Sequence, residues 1–237
     1  MLILAIDTSA VTATAAAAIY EGGQVKKYAL TTIHSGLTHS ETLFPLIDGV
    51  LKGLGKTVND VELFAVAAGP GSFTGVRIGV SAVKGLAFDG RPVASVSALE
   101  ALAENIGAEG IICPLMDARR GVFYNALFRR ENGSLTRLTS DRAISAEELS
   151  LEIEKLDKVY LCGDGAALYQ SLHSGSGVAV SPALCERYQN ALSVAVCAAK
   201  QLEKGEIIDA QALAPIYLRK PQAEREREER LKKENEK

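Results

Sequence analysis

The sequence predicts an α/β chain of two similar halves, each a βββαβα unit forming a mixed sheet, and three observations support this. The order of apolar runs and turns repeats from about residue 110. Each half opens with an apolar run closed by an Asp turn, Asp7-Thr8-Ser9 in the first and Asp117-Ala118-Arg119 in the second. Each also carries a later apolar run that enters a Gly-x-Gly turn and then a helix, at Gly69 and at Gly163.

Residues 2–7 (LILAID) read as a buried strand and 12–20 (TATAAAAIY) as a second. Gly22-Gly23 marks the hairpin turn into a third, more polar strand at 24–33. Thr38-His39-Ser40-Glu41 has capping-box spacing, a hydroxyl followed three residues on by a carboxylate. The helix it opens carries Leu43, Phe44, Leu46, Ile47, Val50, Leu51 and Leu54, and Pro45, which lacks an N–H donor, is expected to bend it. A strand at 62–68 runs into Gly69-Pro70-Gly71-Ser72-Phe73-Thr74, followed by a helix at 75–88, a strand at 92–96 and a helix at 98–106.

In the second half, strands are expected at 110–116, 122–129 and 134–139, with Asn132-Gly133 as a hairpin signal. A helix follows from Ser145, where S-A-E-E repeats the capping-box spacing. Then come a strand at 158–162, Gly163-Asp164-Gly165, a helix at 166–173 and a long helix at 183–204. Residues 1–104, rejoined by 205–220, are expected to form one lobe, 105–204 the other, and 221–237 a charged tail. Residues 220–237 hold seven basic and six acidic side chains and almost no apolar ones. They cannot bury a core face and read as a solvated helix or a disordered tail.

The chain is 47% hydrophobic and has no Trp, so its core must be built from Ala, Val, Leu and Ile. Its formal net charge is −3. A protein that grips RNA unaided usually carries a basic excess, because phosphate contacts supply most of the affinity. Direct nucleic-acid binding is therefore not favoured, while a local basic patch stays open. Cys113, Cys162, Cys185 and Cys197 form no C-x-x-C pair and read as buried reduced thiols. MLILAID lacks the charged start and small-residue cleavage site of a signal peptide, and no apolar run has membrane-spanning length. A cytoplasmic protein with no membrane partner is expected.

Two lobes imply a cleft, with Asp7 facing Asp117 and the glycine turns at its rim. A glycine turn leading into a helix N-terminus presents free N–H groups and suits an anion. Asp7, Thr8 and Ser9 either contact a phosphate or its cation, or simply close the strand in a local turn. Gly69, Gly71 and Ser72 lack the length and the Lys of a Walker loop, and read as a residual phosphate loop whose binding stays open. His34 and His39 are not at the i, i+4 spacing of a helical metal pair and read as structural; His173 falls in an exposed loop. Two helical stripes remain. Leu43, Leu46, Ile47 and Val50 form one, and Gly75, Gly79 and Val83 lie in a helix where small residues recur at spacings of three and four. Either these stripes pack on the chain's own sheet, or they form half of a helical bundle between subunits.

Several motifs occur together in one order: I-D-T-S at 6–9, H-S-E at 39–41, G-P-G-S-F-T-G-V-R-I-G at 69–79, K-G-L-A at 84–87, V-S-A-L-E-A-L-A at 96–103 and P-I-Y-L-R at 215–219. In these the chain resembles the TsaB (YeaZ) family of bacterial tRNA threonylcarbamoyladenosine biosynthesis, within the actin/Hsp70/sugar-kinase superfamily. The resemblance implies a two-lobed actin-like ATPase fold. It also implies a role as a non-catalytic scaffold or activator that pairs with the catalytic paralogue, a TsaD-type enzyme that modifies adenosine 37 in tRNAs reading ANN codons. A TsaE-type ATPase joins the larger assembly, and the tRNA is met indirectly. The isolated chain is a monomer or a homodimer, and ATP or ADP at the partner interface stays open. The catalytic paralogues carry an H-H-M-E-G-H type motif whose two His bind a metal from one helix face. Aligned on the shared Glu100, those positions are Ala98 and Leu102, which cannot ligate a metal. The rival readings are a small ATPase or sugar-type kinase using Asp7 and Asp117, and a glycopeptidase-like metalloprotease, which the missing His pair disfavours.

Overall fold

The computed structural model describes residues 1–34, 38–172, 179–180, 183–220 and 227. The first half runs β1 (Leu2–Asp7), β2 (Ala13–Glu21), β3 (Gln24–Ile33), α1 (His39–Gly53), β4 (Leu63–Gly69), α2 (Phe73–Leu86), β5 (Val93–Ser97) and α3 (Ala98–Glu104). The second runs β6 (Gly110–Asp117), β7 (Val122–Asn125), β8 (Phe128–Glu131), β9 (Ser134–Arg137), β10 (Arg142–Ser145), α4 (Ala146–Ile153), β11 (Val159–Cys162), α5 (Ala166–Leu172) and β12 (Ala179–Val180). Two further helices, α6 (Leu184–Arg187) and α7 (Ala191–Lys204), follow.

The first sheet has the order β3-β2-β1-β4-β5, and the spine of the second is β10-β7-β6-β11-β12. In both, the opening strand is central, pairs antiparallel with its successor on one side and parallel with the strand before the Gly turn on the other. The two halves therefore share one α/β layout, as their repeated order of runs and turns predicted.

Side-chain alternation explains the layers. Leu2, Leu4 and Ile6 of β1, with Ala13, Ala15 and Ala17 of β2, face α1 and α2. Ile3 and Ala5, with Ala16 and Ala18, face the opposite side, where α3 and α7 lie. Alanine throughout β2 lets helices approach both faces. The second core layer also takes in Ile112, Met116 and Phe128, so α3 and α7 fill the space between the two sheets. Helix α7 follows the second sheet in the chain, yet it packs on β1, β2, β3, β5 and α3. A third cluster packs Cys113, Leu115 and Leu161 against α4 and α5.

Four local expectations are corrected. The strand expected at 122–129 is split into β7 and β8, because Pro114 in β6 has no N–H to give the ladder. The Asn125 side chain fills the gap, its Nδ2 donating to the carbonyls of Pro114 at 3.1 Å and Ala126 at 3.2 Å. Thr38 makes no side-chain cap on α1, whereas the Ser145–Glu148 box forms in full on α4. Residues Arg142–Ser145 form a strand against β7 that periodicity did not reveal. The helix expected at 183–204 breaks at Tyr188-Gln189, and Asn190 caps α7 by accepting from the Leu192 N–H at 2.9 Å. His173 and most of the charged tail lie outside the described residues, as does the Cys185 side chain.

Candidate functional site

The Asp turns and the Gly turns meet at a cleft of about 360 Å³, lined by Ser9, Ser72, Asp117, Arg119, Asp164 and Tyr217 among others. On the first side, β1 delivers Asp7 fully buried. Its Oδ1 accepts from the Ser9 N–H at 2.7 Å, closing the turn, while Oδ2 has no partner among the described residues. Burial pushes the carboxyl up to about 6, with the charge of Asp164 adding to the rise. Thr8 Oγ1 donates to the Gly75 carbonyl at 2.7 Å, and the Ser72 N–H donates to Ser9 O at 2.6 Å. Ser72 caps α2, its Oγ accepting from the Gly75 N–H at 3.3 Å.

Asp7, Thr8, Ser9, Gly69, Gly71 and Ser72 are therefore brought together. The room their glycines provide is taken by the chain itself. A Cβ on Gly71 would overlap Ser9 O, one on Gly75 would overlap Thr8 O, and one on Gly69 (φ +120°) would overlap Ile216 O. The glycines let backbone pack on backbone at these three positions.

On the second side, Asp117 Oδ1 accepts from the Arg119 N–H at 2.7 Å, and its carboxylate lies 3.6 Å from the Arg119 guanidinium. The group whose charge reaches Asp7 is Asp164, not Asp117. Asp164 is itself pushed up to about 6, by burial first and the nearby Asp117 charge after it, and its Oδ1 has no partner among the described residues. The Gly163-Asp164-Gly165 turn looked like glycine punctuation in the sequence, and nothing in it singled out the carboxylate.

A strap closes one flank. Ile208 pairs with Val93, the Ile216 N–H donates to Ala68 O at 2.7 Å, and the Tyr217 ring stacks on Phe73 at 4.7 Å. Arg77 Nε donates to Tyr217 Oη at 2.8 Å, with its guanidinium 3.8 Å from the Phe73 ring centre. Arg219 then reaches the second half, donating to Ala118 O at 2.6 Å. These residues have no periodicity to betray them, and only the P-I-Y-L-R motif marked the segment.

The candidate interface residues lie on the inner faces of α1 and α2. Leu43, Leu46, Ile47, Val50, Gly75, Gly79 and Val83 are all buried. The four aliphatics of α1 and Val83 belong to the core over the chain's own sheet, and Gly79 sits against Thr8 Oγ1. The faces that α1 and α2 turn outward carry Phe44, Asp48, Gly49 and Lys52, and Arg77, Ser81, Gly85 and, just past the helix end, Phe88. Phe44 is 54% exposed and Phe88 90%.

His39 Nε2 donates to Ala10 O at 2.7 Å, and the His34 ring lies edge-on to Tyr188 at 5.0 Å. Among the described residues, no three His, Cys, Asp or Glu side chains converge in a metal-binding group, and no helix is long and apolar enough to cross a membrane. Cys113, Cys162 and Cys197 are buried, and burial pushes the Cys113 thiol up to about 12.

A family model described as TsaD, tRNA N6-adenosine threonylcarbamoyltransferase, matches residues 34–227. The chain is 33% identical to the tRNA threonylcarbamoyladenosine biosynthesis protein TsaB of Bacillus subtilis (strain 168), covering 94% of this chain and 96% of that protein. It is 28% identical to the protein of the same description from Escherichia coli (strain K12), over 92% and 95%. The solved structure of YeaZ from Pseudomonas aeruginosa matches with a TM-score of 0.77 at 25% identity, covering 92% of this chain and 99% of that one. The chain belongs to the TsaB (YeaZ) family, TsaD-related proteins of tRNA threonylcarbamoyladenosine biosynthesis.

Proposed function

We propose that the chain is a non-catalytic subunit that pairs with a TsaD-type enzyme through the outward faces of α1 and α2, and so supports threonylcarbamoylation of adenosine 37. The observation that carries this is the packing of α3. Ala98 and Leu102, which stand where the resemblance places the paralogue's metal-binding His pair, are 0% and 1% exposed in the core between the sheets. Glu100 is engaged by Arg137 at 3.0 Å. Apolar packing occupies the place of a metal site.

The kinase or ATPase reading is weaker. Asp7 is sealed in a turn, Asp117 is held by Arg119, and the glycine loops are filled by backbone. The pairing face is supported by its composition: two exposed Phe side chains, plus Gly49 and Gly85 with open space above their α carbons, where another helix can approach closely. The partner-binding lobe is then the first sheet with α1, α2 and the strap at 205–220, and a TsaE-type ATPase binds the assembled pair.

Size-exclusion with light scattering tests this. The chain mixed with a TsaD-type partner elutes as a heterodimer, and Phe88→Glu abolishes the complex while leaving the far-UV spectrum unchanged. A heterodimer that survives both Phe44→Glu and Phe88→Glu removes the assignment.

A further inference from the structure

We infer that Asp7, Ser9 and Asp164 form a binding site for Mg²⁺ at the floor of the cleft, where the ion bridges the two halves of the chain. Asp7 ends β1 of the first half, and Asp164 lies in the turn that follows β11 of the second. Three oxygens carry this. Asp7 Oδ2, Ser9 Oγ and Asp164 Oδ1 are all buried and have no hydrogen-bond partner among the described residues. Buried polar atoms are satisfied in the great majority of cases, so three orphans at one place call for a ligand. Ser9 is wholly buried yet lines the cleft, as Asp164 does. Asp7 is tied to the Ser9 N–H by its other oxygen at 2.7 Å, which sets the free one at the same turn.

The charges point to the same occupant. The charge that acts on Asp7 is that of Asp164, and the charge that acts on Asp164 is that of Asp117. All three are acids. The cations lining the cleft are Arg119, Arg219 and Lys220. Arg119 is paired with Asp117, Arg219 donates to the Ala118 carbonyl, and no cation among the described residues bonds to an orphan oxygen. Two buried carboxylates without such a partner need a divalent counter-charge, since buried charges are held by ion pairs or by metals. Donors that are all oxygen select Mg²⁺ over metals that prefer nitrogen or sulfur. Mg²⁺ is commonly bound through one or two carboxylates and keeps several of its waters. Two carboxylates and a hydroxyl, opening on a cavity of about 360 Å³, suit it without a third acid and without a phosphate. The ion is structural: it joins the halves and takes no part in tRNA modification, so the site stands apart from the pairing face.

The test is a calorimetric titration of the full chain, freed of metal by a chelator, with MgCl₂ at pH 7.5 and no nucleotide, followed by amide exchange with and without the ion. One Mg²⁺ binds per chain with a dissociation constant of about 0.1–1 mM, and exchange slows at 7–9 and at 163–165 together. Asp164→Asn removes one charge while keeping the shape of the side chain. It weakens binding by about tenfold or more and leaves exchange at both turns insensitive to Mg²⁺. Ser9→Ala, which removes a neutral donor, weakens binding by about threefold and keeps the case testable should the first variant fail to fold. Glu21→Gln removes an exposed acid at the far end of β2 and leaves both readouts unchanged. Affinity for Mg²⁺ that is the same in Asp164→Asn and Ser9→Ala as in the natural chain, slowing confined to one turn, or uptake of Mg²⁺ only when ATP is added overturns the inference. Failure of the chain to pair with a TsaD-type enzyme counts against the pairing reading only, since the chain alone reports on the ion.

Discussion

At Asp7 and Asp164, burial has raised two neighbouring carboxyl groups to about 6. The folded state therefore holds their protons more tightly than the unfolded chain, whose aspartates titrate near 4. Their contribution to stability is fullest below about pH 4, is lost as pH rises to about 6, and changes little above that. Asp7→Asn copies the protonated form and keeps an oxygen for the Ser9 N–H. The variant matches the natural chain near pH 4 and exceeds it by on the order of 2 kcal/mol at pH 7.5, as urea unfolding at the two pH values reports; parallel curves would contradict the burial argument. Glycines give a second prediction at this scale. Gly75→Ala drives a methyl group into Thr8 O and costs about 3 kcal/mol or more. Gly85→Ala, with open space above it, gains about 0.5–1 kcal/mol of helix stability. Thermal melts of the two variants should move in opposite directions.

Helices α1 and α2 show what a periodic pattern can and cannot convey. The apolar stripe of α1 announced a helix and a buried face, and both exist. It did not distinguish burial on the chain's own sheet from burial on a partner, because both require the same residue types at the same spacing. Leu43, Leu46, Ile47, Val50 and Leu51 went to the core and Phe44 to the surface. The difference is one of rotation about the helix axis, which only the packed structure fixes. A charge at Val50 or Val83 therefore acts on folding. Val50→Asp places a carboxylate in a closed apolar layer and should cost several kcal/mol, read as a missing unfolding transition, whereas Phe44→Ser leaves the melting temperature within a few degrees of the natural chain. The split of β7 from β8 belongs here too. Pro114 was visible, but its effect on the ladder depended on which strand lay opposite.

Across the whole molecule, duplication was the most legible feature, since the repeated order of runs and turns foretold two mixed sheets and a cleft where the Asp turns meet, while the shared strand order within the sheets came from the structure. The residues that finish the cleft were less legible. Asp164 sits in a turn whose glycines attract the eye, and Arg77, Arg119 and Arg219 are separated by up to 142 positions in the chain. Their meeting is a property of topology alone. The strap that gathers them spans both halves, so Arg219→Ala should speed amide exchange at 216–219 and at 118–121 together while α7 stays protected; a change confined to one segment would mean the strap does not join the halves.

The proposed role places function on an outer helical face and not in chemistry within the cleft. Reconstituted threonylcarbamoylation of tRNA, with this chain as the sole component varied, separates the two. Asp7→Asn combined with Asp117→Asn should support modification at a rate close to that of the natural chain, and Phe88→Glu should abolish it. An Asp7→Asn, Asp117→Asn chain that pairs normally with its enzyme yet leaves the tRNA unmodified would contradict the proposal.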